Sequence, residues 1–139
     1  MQRIEHIGIA VKNLDQAEAI YEALLGTASY KREEVASENV ITSFFKAGQK
    51  IELLASTTEE GVIAKFIEKK GEGIHHIAFH VDDIYAEMQR LREAGFTLLQ
   101  DHPKKGADGK LVCFVHPKGT GGVLVELCTD DPEAIISNP

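Results

Sequence analysis

The sequence predicts an α+β fold built from two tandem βαβββ modules. Their strands join into one curved, mostly antiparallel, eight-stranded sheet with helices outside. Three observations predict it. First, Ile4–Val11 and Ile74–Val81 share one design, with Ile7, Ile9 and Val11 or Ile77, Phe79 and Val81 alternating on an apolar face. The opposite face carries His6, Gly8 and Ala10 in one stretch and His76, Ala78 and His80 in the other. Second, the leading histidines lie 70 positions apart (6 to 76) in a chain of 139 residues, the spacing of an internal repeat. Third, Glu52 and Glu126 each stand alone between apolar residues in a later strand, 74 positions apart (52 to 126).

The elements follow in order. After the first strand, Asn13 or Asp15 caps a helix whose apolar stripe is Leu14, Ala17, Ile20, Tyr21, Leu24 and Leu25, and Gly26 ends it. Ile7, Ile9 and Val11 face this helix, which leaves His6 on the other side of the sheet. Strands 40–46 and 50–54 flank the turn Ala47-Gly48-Gln49, and a short helix with the stripe Ile63, Phe66 and Ile67 closes the half. Gly71 and Gly73 punctuate the junction. The second half repeats the plan: strand 74–81, Asp82 or Asp83 as cap, a helix face of Ile84, Met88 and Leu91, and Gly95 as stop. Strands 110–116 and 123–128 complete it, joined by Pro117–Gly122. The organisation is thus a single domain over 3–129, with modules of about 3–56 and 73–129 and a frayed polar tail over 130–139. Neither module alone buries a large core, so the two share one.

Composition excludes several function classes. A net charge of −7 and a pI near 5.3 argue against a nucleic-acid or anionic-membrane surface. No apolar run approaches the roughly 18 residues of a membrane span, and the start is no signal peptide. A cytoplasmic location, or an organelle matrix after processing, follows as the expectation. Cys113 and Cys128 lack CxxC spacing and read as buried, reduced thiols.

With the helix-free faces turned inward, His6, Glu52, His76 and Glu126 converge in a hollow. Two imidazoles with one or two carboxylates suit a divalent cobalt, manganese, nickel or zinc ion. Gly8, Ala10 and Ala78 leave room beside it for a ligand. A lone strand histidine is more often a packing residue, but four ligand-type residues at repeat-equivalent places are hard to obtain by chance. His75 falls on the other face and reads as structural, His80 lines the cavity, and His102 and His116 read as loop or strand-end residues.

The chain resembles the vicinal-oxygen-chelate, or glyoxalase-like, superfamily. Within it, Gly73-Ile74-His75-His76-Ile77-Ala78-Phe79, Val81-Asp82-Asp83-Ile84 and the run His116-Pro117-Lys118-Gly119 to Val125-Glu126-Leu127 are similar to the methylmalonyl-CoA epimerase family. Gly106–Lys110 also fits, although that family often has histidine where Asp108 stands. The resemblance implies interconversion of the 2R and 2S forms of methylmalonyl-CoA, an acyl-CoA partner and a homodimer. It implies His6, His76 and Glu126 as metal ligands, with Glu52 at the fourth ligand position. Glu126 doubles as a proton carrier, and Glu38 stands where a second, opposing carboxylate belongs. Lys104, Lys105, Lys110 or Lys118 would meet the phosphates of coenzyme A, Lys110 and Lys118 foremost. Glyoxalase I shares the ligand geometry, but its Asp-Pro-Asp-Gly signature is replaced here by His-Pro-Lys-Gly. A ring-cleaving dioxygenase and a non-enzymatic ligand-binding module of the same fold also compete with the epimerase assignment.

Overall fold

The computed structural model describes residues 3–137 and divides into two compact units. One runs from His6 to His75; the other comprises His76 onward together with the first residues through Glu5.

In the first unit the chain forms β1 (Arg3–Ala10, from His6 onward), α1 (Leu14–Leu25) and β2 (Lys31–Val35). β3 (Val40–Ala47), β4 (Gln49–Ser56) and α2 (Val62–Lys70) follow. The strand order is β2-β3-β4-β1, with β2/β3 and β3/β4 antiparallel and β1 beside β4 parallel. Helix α1 returns the chain so that β2 starts in the direction of β1. Two reversals then bring β4 back parallel to it, so the sheet is mixed.

Asn13 caps α1 by accepting a hydrogen bond from the Gln16 amide, and Gly26 ends it at φ 72°. Leu14 and Ala17 pack with Val11, Phe45, Leu53 and Ala55, as the alternation requires. Ile20 and Leu24, assigned to the same stripe, are instead 63% and 71% exposed. At 100° per residue Glu18 and Leu24 flank the face of Leu14, Ala17, Tyr21 and Leu25 at nearly equal angles on either side, and Ile20 lies farther round. The polar side chain masked the true direction of the helix. On the opposite sheet face, α2 packs Ile63, Phe66 and Ile67 against Ala10 and Leu54.

The second unit repeats the order as β6-β7-β8-β5: β5 (Gly73–His80) lies parallel to β8 (Val125–Asp130), and β6 (Lys104–Lys105) and β7 (Lys110–Val115) continue it antiparallel. Helix α3 (Ile84–Glu93) is capped by Asp83, whose side chain accepts from the Ala86 amide. It buries Ile84, Met88 and Leu91 against Val81, Cys113, Val115 and Leu127. Strands β2 and β6 carry no apolar alternation, so the βαβββ plan required a strand at each place but the sequence did not locate it. The stretch read as a frayed tail is ordered into β8 and α4 (Pro132–Ser137); residues 138 and 139 lie outside the described residues. Among the described residues, no helix is long and apolar enough to cross a membrane.

Candidate metal centre

Each unit presents one buried imidazole beside one buried carboxylate. In the first, His6 and Glu52 are 4% and 5% exposed, and His6 Nδ1 lies 3.1 Å from Glu52 Oε2. In the second, His76 Nε2 lies 3.7 Å from Glu126 Oε1, and both residues are buried. The register explains the pairing. Glu52 stands opposite Gly8 across the parallel β1/β4 ladder, and Glu126 stands opposite Ala78 across β5/β8. Each glutamate therefore faces the residue two beyond its histidine. With only a hydrogen or a methyl at that place, the carboxylate bends diagonally to the imidazole. The Phe114 ring meets His76 edge-on at 5.8 Å and 87° and fixes the orientation of that imidazole.

Burying a carboxylate unpaired is costly, so two such groups signal compensation by a hydrogen bond or a cation. Within each unit, a buried imidazole nitrogen beside a buried carboxylate oxygen offers donors of the kind manganese, cobalt, nickel and zinc take. The residues present fit a divalent ion.

The remaining predicted residues are placed as follows. His75 is half-buried, stacks edge-on to Phe66 at 4.9 Å, and burial pushes its pKa down to about 4. It packs against Phe66. The His80 Nε2 approaches Asp82 Oδ1 at 3.5 Å, while its Nδ1 is buried without a hydrogen-bond partner. The His116 Nδ1 accepts from the Lys118 amide at 3.0 Å and caps a short turn, Pro117–Gly119; His102 is exposed. Glu38 is half-buried at the end of the turn Ala36–Glu38, just before Asn39 adopts φ 53° and leads into β3. Lys118 is exposed, whereas Lys110 donates to Asp130 at 2.6 Å. Cys113 and Cys128 are fully buried thiols rather than a disulfide, and burial pushes the Cys113 thiol up.

Two buried acids, Glu5 and Asp131, escaped the sequence reading. Glu5 is 7% exposed and its carboxylate lies within 4.8 Å of the Cys128 sulfur. Its place in the alternation of Ile7, Ile9 and Val11 was the available signal.

The model of the glyoxalase/bleomycin resistance protein/dioxygenase superfamily matches residues 5–114. An ethylmalonyl-CoA/methylmalonyl-CoA epimerase from Cereibacter sphaeroides is 43% identical over 128 residues, covering 90% of this chain and 96% of the relative. The human mitochondrial methylmalonyl-CoA epimerase is 39% identical over 127 residues, covering 90% of this chain and 72% of the relative. Among solved structures, a Streptomyces coelicolor methylmalonyl-CoA epimerase variant in complex with 2-nitronate-propionyl-CoA superposes with a TM-score of 0.89 at 34% identity. That match covers 95% of this chain and 96% of the other.

Proposed function

This chain belongs to the glyoxalase/bleomycin resistance protein/dioxygenase superfamily, and within it we propose that it is a methylmalonyl-CoA epimerase. The observation that carries the reading is the buried histidine–glutamate pair repeated in the same register in both units. Relatives and structural neighbours named as epimerases of this thioester support it. With those names all on the epimerase side, glyoxalase I is not favoured.

In the proposed mechanism His6, Glu52, His76 and Glu126 hold one divalent ion. A divalent ion held there would supply Lewis-acid stabilisation of the negative charge on the thioester oxygen as the α-proton leaves. Glu126 exchanges that proton on one face of the α-carbon, and Glu38 serves the opposite face. Inversion requires an acid/base group on each side within hydrogen-bond reach. Gly8 and Ala78 keep the floor beside the pairs low, and the Phe114 ring holds His76 in place. The proposed assembly is a homodimer in the cytoplasm, which sedimentation and cell fractionation test.

The deciding experiment is exchange in heavy water. Metal-loaded protein incubated with one methylmalonyl-CoA epimer should incorporate deuterium at the α-carbon with loss of optical purity, and chelation should stop both. Lactoylglutathione formation without exchange would replace this reading with glyoxalase I.

A further inference from the structure

The sheet face of the first unit that carries His6 and Glu52 also gathers three lysines. Lys46 of β3 stands directly opposite Lys50 of β4, and Lys50 stands opposite His6 of β1. Two residues further along β4, Glu52 lies opposite Phe44, which in turn pairs with Lys31 of β2. The contacts of α1 fix the faces independently of this register. Arg32 and Ser43 bond to Glu18 of α1, and Phe45, Leu53 and Ile51 pack in the core beneath that helix. Their strand neighbours Lys31, Phe44, Lys46, Lys50 and Glu52 therefore point the other way, to the side of His6.

This arrangement breaks a local rule of sheets. Like charges directly opposite on one face destabilise a strand pair, yet Lys46 faces Lys50. A local rule broken in this way tends to mark a functional site. The lysines are also concentrated here in a chain whose net charge is −7. Lys31 belongs to the last strand of the unit, but its ammonium does not turn outward. Its Nζ lies 4.7 Å from the centre of the fully buried Phe44 ring, over β3 and on the side of Glu52. The Lys31 and Glu33 side chains, 3.8 Å apart at their charged ends, are 38% and 34% exposed. Lys46 is exposed and Lys50 half-buried. An ammonium seated on an aromatic face beside solvent keeps its charge and can still take an anion.

We propose that Lys31, Lys46 and Lys50 form a cationic rim beside the His6–Glu52 pair that holds the carboxylate of the acyl group. The inference rests on the acyl-CoA reading above. The pantetheine arm keeps the coenzyme's phosphates far from the thioester, whereas the acyl carboxylate is attached to the reacting carbon itself. Lysines one or two strands from the pair therefore meet the acyl end. The rim selects thioesters that carry a second carboxylate over those that do not.

Calorimetric titration of the metal-loaded protein with methylmalonyl-CoA, and with propionyl-CoA as the same thioester without the carboxylate, tests the rim by binding alone. K31Q, K46Q and K50Q should each weaken methylmalonyl-CoA about threefold to fivefold and leave propionyl-CoA unchanged. Because K46Q relieves like-charge repulsion, its urea midpoint should equal or exceed the parent's. Unchanged methylmalonyl-CoA affinity in the three variants would overturn the rim. So would an equal loss for both thioesters, which marks contact with the phosphates, or a lowered K46Q midpoint, which marks a structural role. Failure of the epimerase reading looks different: the variants discriminate between the thioesters as described, yet no α-carbon exchange occurs.

Discussion

The two units share a plan, and they differ most beneath their first helices. Under α3 the core is apolar: Met88 and Cys113 pack with Ile84, Leu91, Val115 and Leu127. Under α1 the repeat-equivalent positions, 70 residues earlier (18 for 88, 43 for 113), hold Glu18 and Ser43. The Ser43 hydroxyl donates to Glu18 at 2.5 Å and meets the Ser29 hydroxyl at 2.7 Å. Arg32 closes the group by donating through Nε to Glu18 at 2.8 Å and through its terminal nitrogen to Asp15. The guanidinium beside Glu18 holds that carboxyl below the usual carboxylate range. The same backbone thus accepts grease in one unit and a hydrogen-bonded ion cluster in the other, provided every buried polar atom finds a partner. What does not differ is the opposite sheet face, where histidine, small residue and glutamate recur in one register.

The strongest way to break this comparison is at the matched face. H6A and H76A should each abolish stoichiometric metal binding and lower α-proton exchange by about 10²–10³-fold. Metal content by mass spectrometry and exchange rate would be measured together. If one histidine proved dispensable for both, the units would not contribute alike.

The divergent face predicts unequal stability effects. M88A removes a fully buried side chain and should cost about 2–5 kcal/mol in urea unfolding. E18A removes the carboxylate that the buried Ser43 hydroxyl donates to, leaving Ser29 as its partner, and should cost less, about 1–3 kcal/mol. Equal losses would mean that the ion cluster stabilises as well as a packed core does. The two helix caps should cost about 1 kcal/mol each in N13A and D83A, because both make the same side-chain bond to an amide of the first turn.

The smallest expected effect is in pH dependence. Because Glu18 is held below its ordinary pKa in the folded state, its contribution is present above the unfolded value near 4.5. It is lost as the pH falls through the lower, folded value. E18Q should flatten that part of the acid limb, and M88L should leave it unchanged. An E18Q profile parallel to the parent would show that Arg32 gives the carboxylate no differential stabilisation.

The matched face was legible in the sequence because strand alternation sets His6 and His76 among small residues and sets Glu52 and Glu126 among apolar ones. Helix caps and stops were equally plain, since Asn13, Asp83 and Gly26 serve local geometry. Long-range compensation was not legible. Glu18 faces inward only because Arg32 and Ser43, 14 and 25 positions away, satisfy it. Strand β2 is Lys-Arg-Glu-Glu-Val, whose pattern suggests solvent, and it is extended because β3 pairs with it. Likewise β6 is two lysines held by Leu111 and Val112.

Strand β2 has a consequence for the molecule in crowded solution. A strand with one free margin is a template on which any passing extended chain can grow. Along this margin a newcomer would have to dehydrate Lys31, Arg32, Glu33 and Glu34 in succession. Self-association by sheet extension along this margin is therefore disfavoured.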